Sequence, residues 1–526
     1  MLRIAAAGSS DSKPYIAVSP YQNKIQLHIP YTSHFSGLVE DDVEQLSHPA
    51  LYFITDVKNK AKKVAIQINY DRNKSRFYDE KIGRFYRNSL ELSKHIGELN
   101  NIDYSYFMMD FLAGQGVPFV IKYLYIEVST PIQENGSKED SYELNLAELE
   151  YPDYGDLKIF ASQLYKMEMA LETKLRSLYK IFFYISHAIG LANHKQVLHG
   201  NICPENILLR SCSLGQINVC PMIAGWDMSF NIEIPSNYMK YTPRYRPLEM
   251  TLFQDVNIDE IYTALGGYKY SKTEDGYAFA ITMIDTMVAA GISKEQMQGV
   301  TTMLNDLLYP WTVEEVFELH INSVEELMSK SDIVEKFDQI LNPKYIEIIR
   351  EFKAFYESSE QEIINDDIDT DKMINDLKSQ DISSVSIIRN FINYNYMLKT
   401  NNNGNIFERL DELKKNKFSS LLTNLSENTI FKDDLSVRRN MFEVSKRLYT
   451  LIHPELSEKS NDEIDQLVKN EIEKSQNDSL GNRKITQVEY LKTDPNDINI
   501  PELGKHSDTA MEDIFMKNND SSFIFI

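Results

Sequence analysis

Between Lys174 and His194 the apolar side chains fall mostly three and four residues apart: Leu175, Leu178, Ile181, Phe182, Ile185, Ile189 and Leu191. That spacing gathers them on one face of a 3.6-residue helix, so the run predicts a buried helix. Ahead of it the period is two. Residues 14–34 alternate apolar and polar and predict one or two strands. Leu51 to Ile68 sets two β-rich runs on either side of the polar stretch Lys58–Lys62, which predicts a hairpin. Tyr104–Leu112 and Pro118–Thr130 are aromatic and β-branched runs joined by Ala113-Gly114-Gln115-Gly116, and they predict a second hairpin closing a small sheet. Residues 75–98 return to helical spacing through Phe77, Phe85, Leu92 and Ile96, while 131–150 read as a polar, acidic, exposed connection.

Beyond residue 325 the chain is rich in Asn, Asp, Glu, Lys and Ser, with helical spacing over 331–357, 385–398, 405–425, 435–452 and 462–475. Polar breaks such as Asn401-Asn402-Asn403-Gly404 separate these runs. The stripe Val385, Ile388, Phe391 and Ile392 reads as core rather than partner surface. From Ser475 the chain is polar, with turns at Pro495 and Pro501, and reads as extended. It closes on Phe523-Ile524-Phe525-Ile526, a stretch prone to aggregate if left in water and so expected to dock.

Composition narrows the function classes. The 526 residues are 42% hydrophobic, enough for two or three cores. A net charge of −23 argues against nucleic acid and anionic membranes as partners. Cys203, Cys212 and Cys220 match no zinc spacing and point to a reduced compartment. The densest apolar stretches, 181–192 and 277–292, are too short or interrupted to span a bilayer. The expected location is cytoplasmic, with a mitochondrial alternative raised by the opening MLRIAAAG and countered by the early Asp11.

Candidate chemistry centres on His199-Gly200-Asn201-Ile202-Cys203-Pro204-Glu205-Asn206, followed by the apolar Ile207-Leu208-Leu209. This stretch resembles the catalytic loop of protein kinases, H-R-D-x-x-x-x-N. In that family the Asp accepts the substrate proton and the Asn holds magnesium. Asn201 stands at the Asp position, where an amide takes up no proton, and Asn206 keeps its place. Val64-Ala65-Ile66-Gln67 resembles V-A-I-K, with neutral Gln67 where the phosphate-pairing Lys belongs. The positions of the phosphate-covering glycines carry Glu44, Leu46 and Pro49, and Gly114 and Gly116 lead into a strand rather than a helix N-terminus. Glu91 or Asn88 occupies the slot of the Glu that pairs with that Lys. At the D-F-G site stands Gly225-Trp226-Asp227: Gly225 offers no ligand atom, and Asp227, two positions late, is either a displaced cation ligand or a surface or cap residue.

Further stations follow in order. Tyr245-Arg246-Pro247-Leu248-Glu249 resembles the Y-R-A-P-E that ends a kinase activation segment, and the Arg expected to pair with Glu249 is Tyr309. Asp275 resembles the Asp that opens a central helix and holds the catalytic-loop backbone. His199, Asn206, Glu249 and Asp275 are therefore expected to be structural. The subgroup closest in flavour is the Scy-like pseudokinases, which share H-G-N-x-x-P-E-N. The resemblance implies an α+β, two-lobed kinase-like domain with a β-rich N-lobe (40–130) and a helical C-lobe (131–325). An N-terminal extension (1–39), a helical C-terminal region (326–475) and a polar tail (476–526) flank it. It implies no ATP or magnesium, no catalytic residue, and a scaffold or structural subunit that meets protein partners in a larger complex. The alternatives are a divergent phosphotransferase using Asp227, and an unrelated helical interaction protein.

Overall fold

The computed structural model describes short strands at 12–13, 29–30, 44–45, 51–55 and 63–71, then 108–129 and 143–149 with single gaps, and 152–231 with breaks at 153, 212–218 and 227–228. It goes on through 242–253, 274–358 with short gaps, 383–391, 411–432, 440–479 save 457–458, and 487–490. The expected helix at 75–98, the turn Lys58–Lys62, Ile392, the 401–404 break and the terminal 522–526 lie outside the described residues.

β1 (Ser12–Lys13), just ahead of the alternating stretch 14–34, and β2 (Ile29–Pro30), within it, pair antiparallel. β3 (Glu44–Gln45), β4 (Leu51–Thr55), β5 (Lys63–Asp71), β6 (Tyr123–Ser129), β7 (Glu143–Leu149) and a late strand, Gln487–Tyr490, make one sheet. β4 and β5 form the hairpin expected from the sequence, running from Leu51 opposite Gln67 to Thr55 opposite Lys63. β7 lies between β5 and β6, antiparallel to both, which corrects the reading of 131–150 as an exposed connection throughout. In Glu143-Leu144-Asn145-Leu146-Ala147-Glu148-Leu149 only Leu144 and Leu146 alternate, since Glu148 takes the next position and Leu149 falls out of phase, so the period is short and obscured. Tyr104–Leu112 is not a strand where it is described: Phe111 and Leu112 are helical, and the turn at Gly114–Gly116 follows.

Two short antiparallel pairs lie nearer the loop: β8 (Val197–Leu198) with β11 (Phe230–Asn231), and β9 (Ile207–Ser211) with β10 (Val219–Ile223). Among the helices, α1 (Leu157–Lys166) starts at buried Asp156, whose carboxylate accepts from Ile159 N at 2.8 Å. α2 (Leu171–His194) is the long helix expected from 174–194, extended by three residues at its start. Nearly every side of it is covered, including Phe182, Phe183, Tyr184, Ile185 and Ile189. α3 (Glu274–Ala289) crosses it, with Phe182 and Phe279 meeting edge to face at 6.1 Å.

α4 (Gln298–Leu308) is followed by α5 (Val313–Val316), which begins with a reciprocal capping box between Thr312 and Glu315. Then come α6 (Val324–Met328), α7 (Ser331–Ile340) and α8 (Pro343–Ser358). The single helical run read over 331–357 is thus two helices. Pro343 has no N–H to continue the first and suits the opening turn of the second. α9 (Glu412–Ser426) and α10 (Met441–Ile452) start at side-chain caps from Asp411 and Asn440. α11 (Asn461–Ser479) runs past the point where an extended tail was expected, and β12 (Gln487–Tyr490) then pairs parallel with β6.

The C-terminal helices share the core of the rest. α10 lies along α2, where Phe183 and Tyr449 meet at 5.2 Å and His187 and Phe442 at 5.7 Å. Gly190 has no side chain to hold α10 off: a Cβ there would sit 3.1 Å from the Phe442 ring. Tyr184 on α2 donates its hydroxyl to Glu471 of α11 at 3.0 Å. Val385, Ile388 and Phe391 are buried, as their spacing suggests, and Arg389 Nη1 donates to Leu252 O at 2.8 Å. Among the described residues no helix is long and apolar enough to cross a membrane.

Candidate functional site

The loop after β8 is held from beneath by the first turn of α3. Asp275, fully buried, accepts from His199 N at 2.9 Å, Gly200 N at 3.1 Å and Asn193 Nδ2 at 2.8 Å. Gly200 takes φ +71, a left-handed conformation that glycine adopts at little cost. Burial raises the Asp275 carboxyl above its ordinary value, and the donors from His199, Asn193 and Gly200 work against that shift. Asn193 also donates to Val197 O at 3.1 Å, which ties the end of α2 to both β8 and α3.

His199 is enclosed. One ring nitrogen, Nε2, lies 2.8 Å from Ala224 O and the other accepts from Asn201 N at 3.2 Å. This pairing fixes a neutral ring with its proton on Nε2. Burial pushes its pKa down to about 4, against the pull of the Ala224 carbonyl. Trp226, also fully buried, packs its ring 4.4 Å from the imidazole and donates Nε1–H to Ile223 O at 2.9 Å.

Asn201 and Asn206 face opposite ways. Asn201 Oδ1 accepts from Thr242 Oγ1 at 2.6 Å, fastening the loop to the segment before Tyr245. Asn206 folds back, donating Nδ2 to Asn201 O at 2.8 Å, while its own carbonyl accepts from Ala224 N at 2.8 Å. Gly225 has φ +80, and a Cβ there would stand 2.6 Å from Asn206 Nδ2. The loop, the 224–226 turn and Thr242 therefore form one knot. Cys203 is buried in the same loop, which pushes its thiol pKa up and leaves no nucleophilic thiolate.

Glu249 is buried and accepts from Trp311 Nε1 at 3.4 Å. Tyr309, which stands where the family's Arg would be, is 38% exposed. Arg244, which sequence reasoning missed, grips Asp285 with Nη2 at 2.8 Å and Nε at 3.3 Å, and donates Nη1 to Leu319 O. Lys158 of α1, also missed, reaches Glu205 in the loop at 2.7 Å. Neither pair follows a sequence period, so no local signal announces it.

Gln67 lies on β5, opposite Leu51 on β4 and Ala147 on β7. Glu44 is in β3, whereas Leu46, Pro49, Asn88, Glu91 and Asp227 lie outside the described residues. The N–H groups around Gly114 and Gly116 are used within their own turn: Gln115 N donates to Phe111 O and Gly116 N to Ala113 O. They are not turned outward as a phosphate cradle. Among the described residues no three His, Cys, Asp or Glu side chains are grouped to hold a metal ion.

No family model matches the chain, and no curated protein matches it in sequence. Among solved structures it is similar to ROP2 from Toxoplasma gondii, described as a virulence factor with a protein-kinase fold and no enzymatic activity. The identity is 10% and the TM-score 0.33, over 57% of this chain and 81% of that one.

Proposed function

We propose that the chain is a two-lobed, kinase-like protein without phosphoryl transfer, acting as a scaffold or structural subunit in a larger protein assembly. The observation that carries this reading is Asn201. It stands where the kinase loop needs a base, and its Oδ1 is already the acceptor for Thr242 Oγ1. A general base must be within hydrogen-bond reach of the proton it removes and must be able to keep it. The amide fails the second condition, and His199 fails the first because both its ring nitrogens are engaged inside the fold. The one carboxylate of the loop, Glu205, is paired with Lys158 at 2.7 Å.

Other features favour the same reading. Gln67 brings no charge to the strand where the family's phosphate-pairing Lys belongs. The −23 net charge disfavours nucleic acid. We assign no ATP or magnesium to the site, and a cytoplasmic location. The H-G-N-x-x-P-E-N loop followed by a glycine–aromatic pair favours the Scy-like flavour within this class. Radiolabelled ATP with generic protein acceptors tests the proposal directly. The purified chain is expected to transfer no phosphate above background, because charge neutralisation and an oriented hydroxyl are both missing. Transfer that disappears in Asn206→Ala would overturn it.

A further inference from the structure

We propose that the Asn206 amide is packed so closely against Gly225 that an acidic residue restored at 225 cannot rebuild a divalent-cation site beside it. This rests on the kinase-like reading above and deepens it, from a residue that is missing to the reason its return is barred.

The geometry is specific. A side chain at Gly225 would start 2.6 Å from Asn206 Nδ2, 2.7 Å from Cγ and 3.0 Å from Oδ1. Side-chain atoms essentially never approach so closely, and φ +80 adds backbone strain for any L-residue. Turning the Asn206 side chain aside breaks the buried bond from Nδ2 to Asn201 O, while its backbone N, donating to Cys203 O at 3.1 Å, and its backbone carbonyl, accepting from Ala224 N, hold the residue itself in place. The residue is 1% exposed.

Two buried acceptors on neighbouring residues of the loop, Glu205 Oε2 and Asn206 Oδ1, have no hydrogen-bond partner among the described residues. Magnesium needs a near-octahedral set of oxygens, with carboxylates or phosphates among them. Among the described residues of the site, Gly225 has no side chain, Asn201 Oδ1 accepts from Thr242, both His199 nitrogens are engaged, and the Glu205 carboxylate is tied through its other oxygen to Lys158. One lysine-paired carboxylate and one amide do not make the oxygen set the ion needs, and among the described residues no three His, Cys, Asp or Glu side chains are grouped to supply it. The arrangement fits a structural knot instead, in which an amide at 206 needs a glycine at 225 and Asn201 carries the tie on to Thr242.

A double-mutant cycle on the full chain tests this. Gly225→Asp, Asn206→Ala and the double variant are compared by thermal unfolding, with Mn2+ titrations followed by electron paramagnetic resonance. Gly225→Asp is expected to lower Tm by about 3 °C or more and to gain no Mn2+ binding. The double variant is expected to lose less than the two single losses added together, since removing the amide frees the space the new side chain needs. If Gly225→Asp does not fold, Gly225→Ala takes its place in the cycle and the same sub-additivity is expected. Strictly additive losses would overturn the inference. So would an unchanged Tm for Gly225→Asp together with Mn2+ binding that Asn206→Ala removes. Phosphate transfer by the unaltered chain would sink the non-catalytic reading alone and leave the cycle's result standing.

Discussion

Asp275 supports three donors at once, and that sets it apart from the other polar residues of the knot. Truncating it to alanine leaves His199 N, Gly200 N and the Asn193 amide without their shared acceptor in a buried setting. A buried donor left unpaired costs about 1–3 kcal/mol. Asn201→Ala removes only the bond from Thr242, a part-buried hydroxyl that water can serve, so the loss should be near the net worth of one neutral bond, about 0.5–1.5 kcal/mol. Urea unfolding of the two variants should therefore rank Asp275→Ala clearly the weaker. Equal and small effects would mean that the loop is held by packing alone. The place of Asp275 at the opening of the helix that follows the 245–249 motif was legible from motif order. The bond from Trp311 Nε1 to Glu249 was not, because which side chain a turn aims inward follows no spacing rule.

At the scale of elements, α10 and α2 depend on each other. Phe183 is buried against Tyr449 of α10, and Phe442 of α10 lies against His187 and Gly190. Leu448, on the buried face of α10, is wholly enclosed. Leu448→Ala should destabilise the whole chain by about 2–5 kcal/mol, seen as a lower urea midpoint for the helical core and not only for the C-terminal helices. A truncation ending at residue 432 should expose the α2 face and aggregate. A soluble truncated chain with an unchanged midpoint would show that α10 is a detachable appendage. Helical runs were legible wherever an apolar stripe met a good cap, as at Asp411 and Asn440. The sequence could not show that α10 packs on a helix some 250 residues earlier, because periodicity reports which face is buried and not against what. β7 was missed for the opposite reason: it is a central strand whose acidic residues mimic a surface loop.

For the whole molecule, pH sets two effects against each other. Acidification protonates exposed histidines and eases the self-repulsion of a chain at −23, which favours the compact state. Carboxylates stay ionised above about pH 5, so that relief is small in the range 6.5 to 5. The buried histidines act the other way. His199 and His187 both have pKa values pushed down to about 4 by burial, whereas an unfolded histidine titrates near 6.5. Between those values the unfolded chain binds protons that the folded chain refuses. The stability of the neutral rings is thus complete above pH 6.5 and is lost progressively as the pH falls towards 4. Each ring contributes up to about 1.4 kcal/mol per pH unit in that window, which outweighs the relief of surface charge. His187 is the ring to test, because its Nδ1 has no hydrogen-bond partner among the described residues and its removal breaks no tie in the knot. His187→Leu should leave the midpoint at pH 8 close to that of the unaltered chain and flatten its decline between pH 6.5 and 5. Parallel pH profiles for the two proteins would show that His187 takes up its proton in the folded state, and that α10 does not seal it against α2.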